Sequence, residues 1–152
     1  LPVACDGRKM IRRAVIDDID SIMLIYEDAR KYMRENNNMS QWINGYPDRN
    51  LILNDISLGH SYVYELQGEI AGVFTYYIGK EKSYNSIRVK WTKNDRYGVI
   101  HRIAIGRRSK NIGTLCLEYC INDCKYLRID THEDNGPMRR FLKKTDLKSV
   151  EL

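Results

Sequence analysis

The feature that most constrains this chain is a strand pattern that runs into a basic, glycine-bearing turn and then a helical pattern, between Tyr97 and Asn135. β-Branched side chains dominate Val99 to Ile105, as suits a pleated, half-buried surface. The turn Gly106-Arg107-Arg108-Ser109-Lys110-Asn111-Ile112-Gly113 is short, cationic and bracketed by two glycines. A helical pattern starts at Thr114-Leu115, with Leu115, Cys116, Tyr119, Cys120 and Ile121 recurring at helical spacing. Strand, turn and helix in that order make an anion site. Free N–H groups converge at the helix start, and the helix dipole places about half a positive charge there. Successive N–H groups in the turn can deepen it into a nest. Gly113 permits close backbone approach, and Asn111 is the non-glycine type that best tolerates a left-handed turn. Many such turns are plain structure and bind nothing. The spacing and the Gly-Lys-Ser/Thr ending of a P-loop are absent.

The 152 residues are read as one domain over residues 10–152, long enough to bury a core. Met10 looks like a natural start, so residues 1–9 are read as a tag or leader remnant. No stretch approaches the roughly 18 apolar residues of a membrane span, and the N-terminus lacks a signal-peptide pattern. The expectation is a cytoplasmic protein with no membrane partner. Its net charge of +5 suits a polyanionic ligand such as a nucleotide-bearing cofactor, and equally a solvated basic surface with no partner. Nucleic acid is disfavoured, because the basic residues are dispersed and no RNA-binding signature accompanies the 11 tyrosines. Cys116, Cys120 and Cys124 recur every fourth residue and read as small buried helix residues; no metal is expected.

Taken in order, Met10 to Ala14 reads as a short strand, followed by a helix to about Arg34 whose start Asp17 and Asp18 cap. Asn36-Asn37-Asn38 breaks that helix. The loop from Met39 to Pro47 is unusually aromatic, with Trp42 and Tyr46 either covering a core edge or walling a ligand. Asp48 caps a second helix that Gly59 ends. Two strands, Tyr62 to Leu66 and Ile70 to Tyr77, flank the Gln67-Gly68 turn. Gly79 to Asp95 reads as a long polar excursion. Tyr126 to Thr131 is a further strand, and Pro137 opens a last helix.

Arg108-Ser109-Lys110-Asn111-Ile112-Gly113 resembles the Arg/Gln-x-x-Gly-x-Gly/Ala signature of the GCN5-related N-acetyltransferases, with Asn111 where glycine is usual. His101 to Ile105 is similar to the strand before that signature. Asp130 to Leu142 resembles the strand-to-helix segment that follows it in one bacterial branch, and the likeness extends to Ile11-Arg12-Arg13-Ala14, Trp42 and Tyr46-Pro47. The resemblance implies an α/β (α+β) fold: a central mixed, mostly antiparallel sheet with helices on both faces. Only Lys148 to Leu152 remains to form the usual last strands, so that edge would be short or would be completed by a second copy in a homodimer.

It also implies an acetyl-CoA-dependent transfer to a small-molecule or protein amine by direct attack in a ternary complex. A module that binds coenzyme A without catalysis is the alternative. The pyrophosphate would lie on the amides of Arg108, Ser109, Lys110, Asn111, Ile112, Gly113 and Thr114, with Arg107 and Lys110 adding charge. The thioester arm would run along Ile103, Ala104 and Ile105 as a pseudo-strand, one N–H polarising its carbonyl. Asn135 would meet the cofactor arm, and Trp42 and Tyr46 would border the acceptor. An alkyl ammonium must lose a proton at a pKa near 10, and His101, His132 and Glu133 are the candidates to accept it. The tyrosine that the family commonly offers as acid after its last helix is absent from Thr145 to Leu152.

Overall fold

A computed structural model describes residues 9–79, 97–106, 111–124, 126–131, 138, 140 and 150–151. Strand β1 (Lys9–Arg13) leads through a 3₁₀ turn (Ile16–Asp18) into helix α1 (Ile19–Glu35). Helix α2 (Arg49–Ser57), strands β2 (Ser61–Leu66), β3 (Glu69–Gly79) and β4 (Tyr97–Ile105) follow, then helix α3 (Ile112–Asp123) and strands β5 (Leu127–Thr131) and β6 (Val150–Glu151). The strands form one sheet in the order β1-β2-β3-β4-β5-β6. Pairing is antiparallel from β1 through β4 and parallel from β4 to β6. The sheet is therefore mixed and mostly antiparallel, as expected. The segment read as a polar excursion and the segment read as a tag fall outside the described residues, save their ends.

Helices cover both faces. On one, Ile22, Tyr26 and Ile52 of α1 and α2 bury against Val63, Val73 and Ala104. On the other, Ile112, Cys116, Leu117 and Cys120 of α3 pack on Tyr62, Phe74, Tyr76, Ile100 and Ile129. The apolar spacing of α1 (residues 19, 22, 26 and 33 buried) explains its single buried stripe. Cys116 and Cys120 lie in the core as read from their spacing. Burial pushes the Cys116 thiol up to about 12 and raises that of Cys120, so neither is a thiolate at neutral pH. At the end of α3 the Tyr76 hydroxyl donates to Asp123 Oδ2 at 2.6 Å, tying the helix to the sheet.

Asp48 caps α2 as its position predicts: its Oδ1 accepts from the Leu51 N–H at 2.9 Å. Gly59, at φ +75°, turns the chain after α2 into β2. The capping of α1 differs from expectation. The Asp18 carboxylate accepts from the Val15 N–H at 2.8 Å and makes no bond to the first turn of α1. It is held there by Arg12, whose guanidinium donates to both Asp18 oxygens and to Glu65 of β2. Asp18 therefore caps the 3₁₀ turn that leads into α1, through the Val15 N–H, rather than α1 itself.

Gly98 lets β4 and β5 approach: a Cβ there would sit 2.7 Å from Leu127 Cδ2 and 2.7 Å from Tyr76 Cε1. Gly98→Ala should therefore cost about 1–3 kcal/mol in urea denaturation. The Arg12 hydrogen bond holds the Asp18 carboxyl below the usual carboxylate range. That contribution to stability is present above the unfolded-state value near 4 and is lost as pH falls through the lower folded-state value. Asp18→Asn should flatten the acid limb of a stability-against-pH profile while leaving its alkaline limb in place.

Candidate active site

The site is organised by a bulge in β4. Thr75 of β3 faces His101 and Val73 faces Ala104, so Arg102 and Ile103 together oppose Phe74 alone. Arg102 takes the left-handed conformation, φ +52°. The extra residue shifts the phase of the strand. The Gly98 N–H donates to the Tyr126 carbonyl on the β5 side, whereas the Gly106 N–H donates to the Ala71 carbonyl on the β3 side. Residues eight apart on a regular strand would use the same edge. Side chains change in step: Ile100 belongs to the α3-side core, and Ala104, four residues on, to the opposite one.

The β5 ladder stops at the same place. Among the described residues β4 pairs with β5 at Gly98, Val99 and Ile100, and no further pair on that side is made from Arg102 to Ile105. With Gly106 bonded to β3, the backbone groups of Ile105 turn to the edge away from β3, where among the described residues no strand pairs with them. The Ile103 and Ile105 side chains pack into the α3-side core.

Helix α3 begins just beyond that edge. Its first intrahelical bond runs from the Leu115 N–H to the Asn111 carbonyl at 3.1 Å. The amides of Ile112, Gly113 and Thr114 precede it and have no acceptor within the helix. Asn111 sits at φ +67°, the left-handed conformation that glycine would supply, so its presence in the turn leaves the required geometry intact. Gly72 lets the helix start lie close to the sheet, for a Cβ there would be 3.1 Å from both Ile105 Cδ1 and Ile112 Cγ2. Arg107, Arg108, Ser109 and Lys110 lie outside the described residues, as do His132, Glu133 and Asn135.

On the opposite face the bulge carries a polar cluster. Arg102 grips Asp55 of α2 through Nε at 3.1 Å and through Nη2 at 2.9 and 2.8 Å to the two oxygens. The pair is nearly dry, with side chains 14% and 6% exposed. Burial by itself would lower the Arg102 pKa, but the Tyr46 hydrogen bond and the Asp55 charge outweigh it, and the guanidinium stays charged. Thr75 Oγ1 donates to Asp55 Oδ2 at 3.0 Å. The buried Tyr26 hydroxyl donates to the Arg102 carbonyl at 2.7 Å. Burial pushes the Tyr26 phenol far up, so it remains a neutral donor.

Tyr46 and Trp42 reach this cluster from the loop between α1 and α2. Arg102 Nη1 donates to the Tyr46 hydroxyl at 3.0 Å. Trp42 meets Tyr26 edge-on at 5.6 Å between ring centroids and lies 6.4 Å from Tyr46. Arg34 anchors the loop by donating to the carbonyls of Asn38, Gln41 and Trp42 at 2.9 Å each. His101 occupies the same sheet face as Val99 and Tyr97; its Nε2 is 3.2 Å from the Tyr77 hydroxyl, and the Tyr77 ring stacks on His60 at 4.8 Å. The described candidates therefore fall into two groups on either side of one bulge. Ile103 and Ile105 line the edge and Asn111, Ile112, Gly113 and Thr114 the helix start. Ala104, read from sequence with the edge, instead pairs with Val73 of β3 and buries its side chain on the α1–α2 side, where His101, Trp42 and Tyr46 also lie. Asp55, Arg102, Tyr26 and Arg34 were not singled out from sequence. The available signal was an arginine inside an otherwise apolar central strand, where an unpaired charge is not tolerated.

Removing Asp55 strands that charge. Asp55→Ala should lower unfolding free energy by about 3–5 kcal/mol, and the charge-free double variant Asp55→Leu with Arg102→Met should recover most of the loss in the same chemical-denaturation assay.

The fold is shared with solved acetyltransferase structures. A GNAT-family acetyltransferase from Streptococcus agalactiae is 36% identical to this chain, with a TM-score of 0.77; the match covers 90% of this chain and 83% of that one. An N-acetyltransferase from Thermoplasma acidophilum in complex with coenzyme A matches at 15% identity and a TM-score of 0.68, covering 90% of this chain and 87% of its own. A predicted acetyltransferase from Clostridium acetobutylicum, solved with acetyl-CoA, matches at 14% identity and 0.65, covering 93% and 91%. No family model and no curated protein matches the sequence.

Proposed function

Because the chain belongs to the GNAT family of acetyltransferases, we propose that it moves an acetyl group from acetyl-CoA to a primary amine by direct attack within a ternary complex. The observation that carries this reading is the β4 edge from Ile103 to Ile105 beside the start of α3, which has no strand partner among the described residues. An extended thioester arm adds to such an edge as a strand would, taking main-chain bonds from Ile103 and Ile105. One of those N–H groups faces the thioester carbonyl and stabilises the oxyanion that develops on attack. The diphosphate lies on the amides of Ile112, Gly113 and Thr114, where the helix dipole favours negative charge. Arg107, Arg108, Ser109, Lys110 and Asn135 are assigned to the same cofactor by the family resemblance.

The amine approaches from the α1–α2 side, walled by Trp42 and Tyr46. His101 takes its proton: the residue stands on that face, one position before the bulge, with Nε2 held by the Tyr77 hydroxyl. His132 and Glu133 remain the other candidates for this role. The acceptor is a small-molecule or protein amine.

Titration calorimetry should detect acetyl-CoA binding, and thiol release should accelerate with at least one member of a broad amine panel. His101→Gln should reduce kcat about 100-fold while leaving acetyl-CoA affinity within twofold. Binding without turnover for every amine would select the alternative, a coenzyme A-binding module; absence of binding would end both readings.

A further inference from the structure

The bulge residue touches both halves of the proposed site. The Arg102 side chain reaches the amine-side loop through Tyr46 and helix α2 through Asp55, while its backbone sits one residue before Ile103 on the cofactor edge. Its left-handed conformation is disfavoured for a non-glycine residue and persists because contacts hold it. Those contacts are the Asp55 fork and the Tyr26 hydroxyl on the Arg102 carbonyl. Asp55 in turn is fixed by Thr75, so α2 cannot shift without moving the arginine.

Resting on the transferase reading above, we propose that Arg102, Asp55 and Tyr46 are positioning residues that couple the acceptor loop to the thioester edge. Nη1 is the guanidinium arm not engaged by Asp55, and it ends on the hydroxyl of Tyr46. Tyr46 is 40% exposed, so an incoming amine can press on it. A push there is passed through a planar, rigid guanidinium to the residue that sets the phase of β4. Occupying the amine side therefore alters the aim of the Ile103 and Ile105 backbone groups, and binding of acyl carrier alters the pose of Tyr46. Such linkage is reciprocal.

Tyr46→Phe is the discriminating variant. Arg34 anchors the loop at Asn38, Gln41 and Trp42 independently, so the change removes one hydroxyl and leaves the loop in place. Acetyl-CoA affinity would be measured calorimetrically for the unaltered protein, Tyr46→Phe, Arg102→Lys and the double variant, with the melting temperature of each. Lysine cannot hold Asp55 in a fork and reach Tyr46 together. Tyr46→Phe should weaken acetyl-CoA binding about fivefold without a fall in melting temperature, although Tyr46 belongs to the other side of the site. In the Arg102→Lys background the same change should have no effect. Asp55→Asn replaces Arg102→Lys in the cycle should the latter not fold. Unaltered acetyl-CoA affinity in Tyr46→Phe, or additive losses in the double variant, would overturn the coupling alone. Failure of the unaltered protein to bind acetyl-CoA would overturn the transferase reading and the coupling with it.

Discussion

The structure depends on one extra residue in β4. A strand that kept its period through Arg102 would present Ile105 to β3 and turn Ala104 into the α3-side core. The orientation of the Ile105 backbone and the division of β4 side chains between both hydrophobic cores are therefore set by the same bulge. A left-handed arginine does not form by preference, and Asp55 and Tyr26 hold it in place. Packing of α1 and α2 on the sheet is thus part of the site rather than a support beneath it.

The Arg102–Asp55 pair is an expensive device for this purpose. Two nearly dry charges lose most of their hydration, and well-packed apolar side chains would often serve stability as well. Aliphatic replacements, however, could not accept from Thr75, grip a fork and still offer a donor to the neighbouring loop. The pair converts burial into direction.

Much of the fold was legible in local pattern. Strand and helix periods place β2, β3, β4 and α1 within a few residues, because side-chain burial follows the repeat of the element. Asp48 and Gly59 mark the ends of α2 through chemistry confined to one turn. The start of α3 was legible for the same reason, down to the tolerance of Asn111 for a left-handed backbone. Asp18 shows where local reasoning stops. Beside a helix start it reads as a cap, and it does cap the preceding 3₁₀ turn, but its pairing with Arg12 on β1 is not recorded in local spacing. Asp55 looks like an ordinary polar residue of a short helix until Arg102, 47 positions later, is brought against it.

By itself the sequence determined the alternation of strands and helices, the basic glycine-bearing turn at the helix start, and a family signature around it. These depend on neighbours in the chain. Tertiary structure alone decided where the bulge falls in β4, which way the Ile105 backbone turns and which face His101, Trp42 and Tyr46 share. The physical reason is that a bulge and a buried ion pair are stabilised by partners distant in sequence, and no local spacing records which carboxylate will neutralise a guanidinium once water is excluded.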